Sequence, residues 1–367
     1  MRPSPAPPIV SIGLAAYNGG RYIAAAIESI LAQTYGDFEL VITDDVSTDA
    51  TEEICRGYAA RDARVDYHRN ERNLGSAPNF NRAFSLASKG SRYFKWAAQD
   101  DLIAPDYLER CVAALDGDPG AVLCHSRVGV IDEHGRHVRD FASPLERKDS
   151  PDPVERFACA VLRHHMALEI YGLIRADVLR STRLHGAYPR SDSALVAELA
   201  LAGRFAEIPE PLFLNRDHPD RFMRAAADDL RAAIAWYDKS QAGRRLSPTW
   251  RLYRAYFEMV RRRVASPTER LRCYGHLLRW LGMNWNALRL GVEALGGVEP
   301  RALVLAVRAK RRLFGSVLQP YDERPQAHPR LGDTGPGATA SGRPSRPHPA
   351  GGRTNAEVQE PPPHRQG

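Results

Sequence analysis

Acidic residues follow two of three short apolar segments near the start of the chain. These segments are rich in β-formers and are typical of buried strands: Ile9–Ala15, Phe38–Thr43 and Tyr93–Ala98. Asp44 and Asp45 follow the second segment, and Asp100 and Asp101 follow the third. Parallel strands end at one edge of a sheet, where open α/β folds bind their ligands. Carboxylates suit N–H donors and hard divalent cations, so the sequence predicts a pocket for a metal-chelated pyrophosphate.

The order of elements around these residues predicts an α/β fold with a parallel sheet and helices on both faces. Helices are expected at Arg21–Ala32, Asp49–Ala59, Ala77–Ala87, Asp106–Leu115, Val154–Leu162 and Ser193–Leu201. Further strands are expected at Val65–His68, Ala121–Val130, Ile131–His134, Phe205–Pro209 and Leu212–Asn215.

The second part of the chain has a different composition. Residues 1–235 contain 28 basic and 34 acidic residues, whereas residues 236–324 contain 18 basic and 7 acidic residues, almost all of the basic ones arginine. Amphipathic helices are predicted there at Trp250–Val264, Glu269–Leu281 and Arg301–Leu313. The expected organisation is a disordered start (1–8), an α/β domain (9–227), a helical region (228–321) and a disordered tail rich in Pro and Gly (322–367).

No apolar run reaches the roughly 18 residues of a membrane span, and the N-terminus lacks the apolar region of a signal peptide. These features predict a cytoplasmic protein. The five scattered cysteines form no CxxC pair and are expected to be small buried residues. The basic helical region is either simply solvated or attracted to anionic lipid at the inner face of a membrane. No nucleic-acid partner is expected.

Several motifs in combination resemble the family 2 glycosyltransferases, over roughly residues 8–222. They are Ser11-Ile12 to Tyr17-Asn18, Ile27 to Tyr35, Phe38 to Asp49, Asn73-Leu74-Gly75, Asn79-Phe80-Asn81-Arg82 and Gln99-Asp100-Asp101. The resemblance implies a GT-A fold and inverting transfer of a sugar from a nucleotide-diphosphate donor. It also implies a glycan or lipid-linked acceptor, Mg²⁺ or Mn²⁺ as cofactor, and a place in cell-surface polysaccharide or glycoconjugate synthesis.

The resemblance also implies donor-binding roles for individual residues. Asp45 matches the aspartate that contacts the nucleotide base, and Ala15 and Tyr17 would flank that base. Asn81 and Arg82 lie in the donor-side helix. A carboxylate accepts hydrogen bonds only and so suits a base N–H.

By the same resemblance, Asp101 would bind the metal and Asp100 would face the ribose or the sugar. His218, in a late Arg-x-His segment, would ligate the metal or neutralise charge near the diphosphate. This chain departs from the commoner acidic triplet because Gln99 replaces a carboxylate, which predicts weaker metal binding.

Asp192 has two interpretations that spacing alone leaves open. It matches the family's general base, which takes the proton of the acceptor hydroxyl. It also directly precedes a helical segment and would serve as its N-cap. The resemblance favours catalysis. Two alternatives for the whole protein remain. A nucleotidyltransferase would carry a Gly-rich basic phosphate loop near the N-terminus, of which Tyr17-Asn18-Gly19-Gly20-Arg21 is a poor version. A degenerate sugar-nucleotide scaffold is favoured by Gln99 and opposed by the intact Asp45, Asp101 and Asp192.

Overall fold

The structure, a computed structural model, describes residues 7–219, 236–237, 239–241 and 247–294. All of these lie in one unit, Met1–Pro320. The predicted helix Arg301–Leu313 and the predicted disordered tail, 322–367, lie outside the described residues, as do residues 1–6 of the predicted disordered start.

Strands and helices alternate through the first half of the described chain. The strands are β1 Val10–Ala16, β2 Phe38–Asp44, β3 Val65–Arg69, β4 Tyr93–Ala98, β5 Leu102–Ile103, β6 Ala121–Ile131, β7 His137–Phe141, β8 Leu173–Arg175 and β9 Arg204–Arg216. The α-helices are α1 Ile23–Leu31, α2 Thr51–Ala59, α3 Ser76–Leu86, α4 Tyr107–Gly117, α5 Pro153–Leu162, α6 Ala176–Arg180, α7 Ser191–Ala202, α8 Pro248–Arg263, α9 Pro267–Gly282 and α10 Asn286–Ala294.

One mixed sheet carries the site. Its strand order is β3-β2-β1-β4-β8-β6-β9-β5, with β7 paired to β6. The first four strands are parallel, whereas β8 is antiparallel to β4 and to β6. The predicted parallel α/β sheet is therefore confirmed for β1 to β4, and their carboxyl ends lie at one edge.

Two strand predictions were wrong. Residues 131–134 do not form a separate strand, because Asp132 Oδ1 accepts the backbone N–H groups of His134 and Arg136 and bends the chain. Gly135 completes this turn at φ +83°, a conformation that favours glycine. Residues 204–216 form one strand rather than two, with a shift in its pairing to β6 across Pro209 and Pro211.

The helices of the basic region pack on the sheet domain. α9 contacts α5, and α8 contacts α7. Large side chains of α8 and α9, among them Tyr256 and Trp280, are buried in the same apolar cluster as Trp96 of β4. The described helices α8 and α9 therefore share a hydrophobic core with the sheet.

No helix within the described part of the chain is long and apolar enough to cross a membrane. All five cysteines are buried and unpaired, as expected.

Candidate active site

The carboxyl ends of β2, β1 and β4 lie side by side. Ala15 of β1 is in register with Thr43 on one side and with Ala98 on the other. The backbone N–H of Asp45 donates to the Ala16 carbonyl (2.8 Å), which extends the pairing by one step. The ring of Tyr17, just beyond β1, is 43% exposed. These contacts bring Ala15, Tyr17 and Asp45 to the edge formed by the carboxyl ends of the parallel strands, as the sequence predicts.

The two aspartates at the end of β2, Asp44 and Asp45, have different roles. Asp44 is fully buried and accepts hydrogen bonds from the Ser47 N–H, the Tyr67 hydroxyl and the Arg69 guanidinium. It fixes the turn after β2, where Val46 has φ +64°. Asp44 is therefore structural.

Asp45 holds the segment that follows β3. Its Oδ1 accepts from Asn70 Nδ2 (2.7 Å) and the Leu74 N–H (2.8 Å), and its Oδ2 accepts from the Gly75 N–H (2.9 Å). Gly75 has φ +93° and caps α3, so glycine is required there. In this conformation the Asp45 carboxylate is 2% exposed, so contact with a base needs part of this segment to shift.

The asparagines of α3 bond to protein backbone. Asn79 donates to the carbonyls of Thr43 (2.9 Å) and Ala16 (3.3 Å), and so it joins the ends of β2 and β1. Asn81 binds both the N–H and the carbonyl of His185. Arg82, next in the helix, has a buried Nε with no hydrogen-bond partner among the described residues. Of the two predicted donor contacts in α3, only Arg82 presents an unused donor here.

Gln99, which follows β4, is hydrogen-bonded to the backbone of Tyr17, which follows β1. Its Oε1 accepts from the Tyr17 N–H (2.8 Å), and its Nε2 donates to the Tyr17 carbonyl (3.1 Å). A carboxylate cannot make the second bond because it has no donor. The two hydrogen bonds to the Tyr17 backbone thus explain the amide at position 99, and they could not be predicted from the sequence.

The acidic pair after Gln99 is held by the end of β9 and the residues that follow it. Asp101 is 7% exposed and accepts from the Asn215 amide (3.0 Å) and from the Arg216 N–H (2.8 Å). Asp100 Oδ2 lies 2.9 Å from His218 Nε2. β9 therefore brings His218 to the acidic pair, although more than a hundred residues separate them.

The acidic pair with His218 fits a divalent cation only as a partial site. No group of three or more His, Cys, Asp or Glu in the described ranges is arranged to hold a metal by itself. His218 Nδ1 is, however, buried without a hydrogen-bond partner among the described residues. Mg²⁺ is commonly held by one or two carboxylates plus substrate phosphates and water. The residues present fit that arrangement.

Asp192 lies in the first turn of α7, and it is not the N-cap. The cap position is Arg190, at φ +67° and without a side-chain capping bond. Asp192 Oδ1 accepts the adjacent Ser193 N–H (2.7 Å). The prediction that Asp192 is the N-cap of this helix is therefore wrong.

Burial raises the pKa of the Asp192 carboxyl, although the Ser193 N–H and the charge of Arg190 oppose the shift. A carboxylate with a raised pKa is a better proton acceptor than an ordinary aspartate. The environment of Asp192 thus suits a general base.

A chain of contacts links the segment before Asp192 to the sheet. His185 is bonded to Asn81, and its ring lies 4.7 Å from that of Trp96 in β4. Trp96 Nε1 donates to the Phe80 carbonyl in α3. The segment leading to Asp192 therefore packs on the strand that ends in the acidic pair.

Sequence reasoning missed several residues that shape the site. Asn70 and Asn215 were not singled out, although each binds an aspartate that was. Lys239, whose N–H donates to the Leu74 carbonyl (3.1 Å), brings the segment 239–241 to the loop that Asp45 holds. Only the three-dimensional pairing of distant strands and segments reveals such partners.

Comparison with known proteins shows that part of the chain is similar to one glycosyltransferase family. The profile of glycosyl transferase family 2 matches residues 11–168. An uncharacterized glycosyltransferase of Methanocaldococcus jannaschii is 34% identical over 136 residues, which cover 36% of this chain and 46% of the relative. The putative glycosyltransferase EpsE of Bacillus subtilis is 36% identical over 129 residues, which cover 35% of this chain and 46% of the relative. The chain spans less than half the length of these two relatives.

The fold has solved counterparts at low sequence identity. The S. aureus TarS 1-349 structure in complex with UDP superimposes with a TM-score of 0.54 at 16% identity, covering 80% of this chain and 76% of that one. The TarS structure in complex with UDP-GlcNAc gives a TM-score of 0.51 at 16% identity, covering 82% and 91%. Residues 11–168 thus match glycosyl transferase family 2, and the described residues share the GT-A fold of these solved structures.

Proposed function

We propose that this protein transfers a sugar from a nucleotide-diphosphate sugar to an acceptor hydroxyl, with inversion at the anomeric carbon. The observation that carries the proposal is the shared edge of β2, β1 and β4, where Asp45, Tyr17 and the Asp100–Asp101 pair meet within the segment that matches the family. An edge with base-facing and phosphate-facing groups suits a nucleotide diphosphate.

On the donor side, Ala15, Tyr17 and Asp45 would bind the base and Arg82 the diphosphate. Asp45 makes its base contact once the segment 70–75 shifts, and Asn81 supports the site through the His185 backbone. Asp100 would bind the ribose or the sugar.

Asp101 and His218 would hold Mg²⁺ or Mn²⁺ together with donor phosphates. The cation supplies charge neutralisation for the departing diphosphate. The orphaned His218 Nδ1 supports this assignment. Because Gln99 is engaged by the Tyr17 backbone, its presence does not favour a degenerate scaffold.

On the acceptor side, Asp192 would take the hydroxyl proton as the acceptor oxygen attacks from the face opposite the diphosphate. Its raised pKa supports that role. The acceptor would be a glycan or a lipid-linked saccharide of a cell-surface polysaccharide or glycoconjugate.

A donor screen tests this function. The full chain is incubated with a panel of UDP-, GDP- and dTDP-sugars, with Mn²⁺ or with a chelator, and release of nucleoside diphosphate is measured. We expect slow metal-dependent hydrolysis of one donor class. A panel without hydrolysis or nucleotide binding would contradict the proposal, and release of pyrophosphate from a nucleoside triphosphate and a sugar phosphate would favour a nucleotidyltransferase.

For the location, we propose peripheral contact of a cytoplasmic protein with anionic membrane through α8 and α9. Phe257, Leu271 and Leu278 are 42%, 72% and 66% exposed on these helices, and Arg261 and Arg279 are exposed beside them. Exposed apolar side chains flanked by arginine suit an anionic lipid surface. Co-sedimentation with anionic vesicles should fall in high salt and in a Leu271→Gln/Leu278→Gln variant. Equal sedimentation of variant and wild type would refute this contact.

A further inference from the structure

The start of α7 carries polar groups that the described residues leave unsatisfied. Ser191 is 1% exposed, and its Oγ has no hydrogen-bond partner. Tyr256 of α8 is fully buried with an unpartnered hydroxyl. The Arg190 guanidinium forms no hydrogen bond or close ion pair with any described residue. Buried polar groups without partners are rare in native proteins and call for an explanation.

A second arginine reaches the same place from α10. Arg251 of α8 donates to the Ala187 carbonyl (3.2 Å), and Trp250 Nε1 donates to the Leu290 carbonyl (2.9 Å). These bonds hold α10 near the segment that ends in Arg190. Burial, followed by the charge of Arg190, lowers the pKa of Arg289. The Arg289 guanidinium likewise bonds to no described residue.

The acidic groups nearby do not account for both arginines. Asp192 is the candidate base, and it lies beyond ion-pair distance of Arg190. Both carboxylate oxygens of Glu293 accept backbone N–H groups of α8, from Thr249 and Trp250 (3.1 Å each). Partial burial, and then the charge of Arg190, lowers the pKa of His164. Arg190 thus lies close enough for its charge to lower the pKa of Arg289, and no carboxylate among the described residues forms an ion pair with either guanidinium.

We infer that Arg190 and Arg289, with Ser191 and Tyr256, bind an anionic group of the acceptor beside Asp192. This inference rests on the proposed function. The general base Asp192 must contact the acceptor hydroxyl. Because Arg190 lies two residues before Asp192, an acceptor bound at Asp192 also contacts Arg190 and Arg289. Guanidinium groups match phosphate and carboxylate geometry, and the N-terminus of the 12-residue α7 favours negative charge.

Calorimetric titration of the full chain with glucose 6-phosphate and with glucose tests the inference. These probes differ in one phosphate. We expect the wild type to bind the phosphate ester at least about tenfold more tightly, as charge-assisted bonds allow. Arg190→Gln/Arg289→Gln should abolish that preference, whereas Arg190→Lys/Arg289→Lys should keep most of it. Arg61→Gln, which removes one exposed charge just after α2, should change nothing.

Equal binding of the two probes by the wild type would overturn the inference, as would a preference that survives in the Arg190→Gln/Arg289→Gln variant. Affinity for UDP and GDP is measured on the same proteins. If the double variant loses nucleotide rather than sugar-phosphate binding, the arginines belong to the donor site and the inference is wrong. If the wild type prefers the sugar phosphate but binds no nucleotide, the proposed function fails and the anion site remains.

Discussion

The two halves of the candidate site differ in how many hydrogen bonds the described residues give to their carboxylates. Around Asp45 the carboxylate, Asn70, Asn79 and the strand ends are joined by hydrogen bonds. Around Asp192 the described residues give the carboxylate one local bond, and they leave Ser191 Oγ and the Tyr256 hydroxyl without a partner. The Asp45 carboxylate is thus held by donors of the protein itself, whereas the Asp192 carboxylate keeps acceptor capacity for a ligand.

Because of this difference, substitutions around Asp45 should mainly change stability, and substitutions around Asp192 should mainly change catalysis. Removing a group from a satisfied network leaves partners unpaired and costs folding free energy. Removing a buried charge that has few hydrogen bonds costs little folding free energy and mainly changes the rate of the catalysed reaction. Substitutions in the two halves should therefore affect different measurements.

The largest effect is expected for Asp192→Asn. Turnover should fall by about 10²–10⁴, the usual contribution of general acid–base catalysis. The native pKa of Asp192 is raised by burial, so ionising it lowers stability as pH rises through that pKa. The asparagine variant should therefore melt no lower than wild type at neutral pH, and any gain should vanish in acid. Asp177→Asn, in the first turn of α6 with the same bond to the next N–H (2.8 Å), is the matched control and should stay active. Normal turnover of Asp192→Asn would make Asp192 structural.

Asp101→Asn should reduce transfer by about 10²–10³, as expected for losing one electrostatic contact to the reacting diphosphate. The amide would also face the Asn215 amide as a second donor. Mn²⁺ titration of activity is the measurement, with Asp106→Asn on the exposed start of α4 as control. Wild-type activity with unchanged Mn²⁺ dependence would exclude Asp101 as a metal ligand.

Asp45→Asn should lower the free energy of unfolding by about 1–3 kcal/mol, because one of the three donors bound by the carboxylate loses its acceptor. Urea denaturation measures this change. Asp66→Asn removes an exposed charge from β3 and should leave stability within about 0.5 kcal/mol of wild type. Equal stabilities for both variants would show that the Asp45 network is not holding the segment 70–75.

The smallest effect is expected for Gln99→Glu. The carboxylate keeps the bond from the Tyr17 N–H but loses the donor to the Tyr17 carbonyl, a loss of about 1 kcal/mol. Mn²⁺ affinity should not increase, because the side chain remains directed at the backbone. Tighter Mn²⁺ binding would instead identify Gln99 as a replaced metal ligand.

The sequence predicted the sheet edge well because strand periodicity and terminal polar residues are local signals. β4 has the predicted bounds, and the acidic pair follows it. The partners of those residues were not predictable. Gln99 was interpreted as a missing ligand, although its amide complements a backbone 82 residues away. Asn215 and Arg289 reach the site through strand pairing and helix packing, which leave no local pattern. Asp192 was placed correctly near a helix start, but the left-handed turn at Arg190 moved the cap by two residues.

The central claim is that nucleotide binds at the Asp45 edge and chemistry occurs at Asp192. Calorimetric titration of UDP and GDP with Mn²⁺ into wild type, Asp45→Asn and Asp192→Asn tests it most directly. We predict that wild type binds one of the two nucleotides, that Asp192→Asn binds it equally within about twofold, and that Asp45→Asn binds it at least about tenfold more weakly, the loss of one charge-assisted bond. Weak binding by Asp192→Asn together with normal binding by Asp45→Asn would contradict the account.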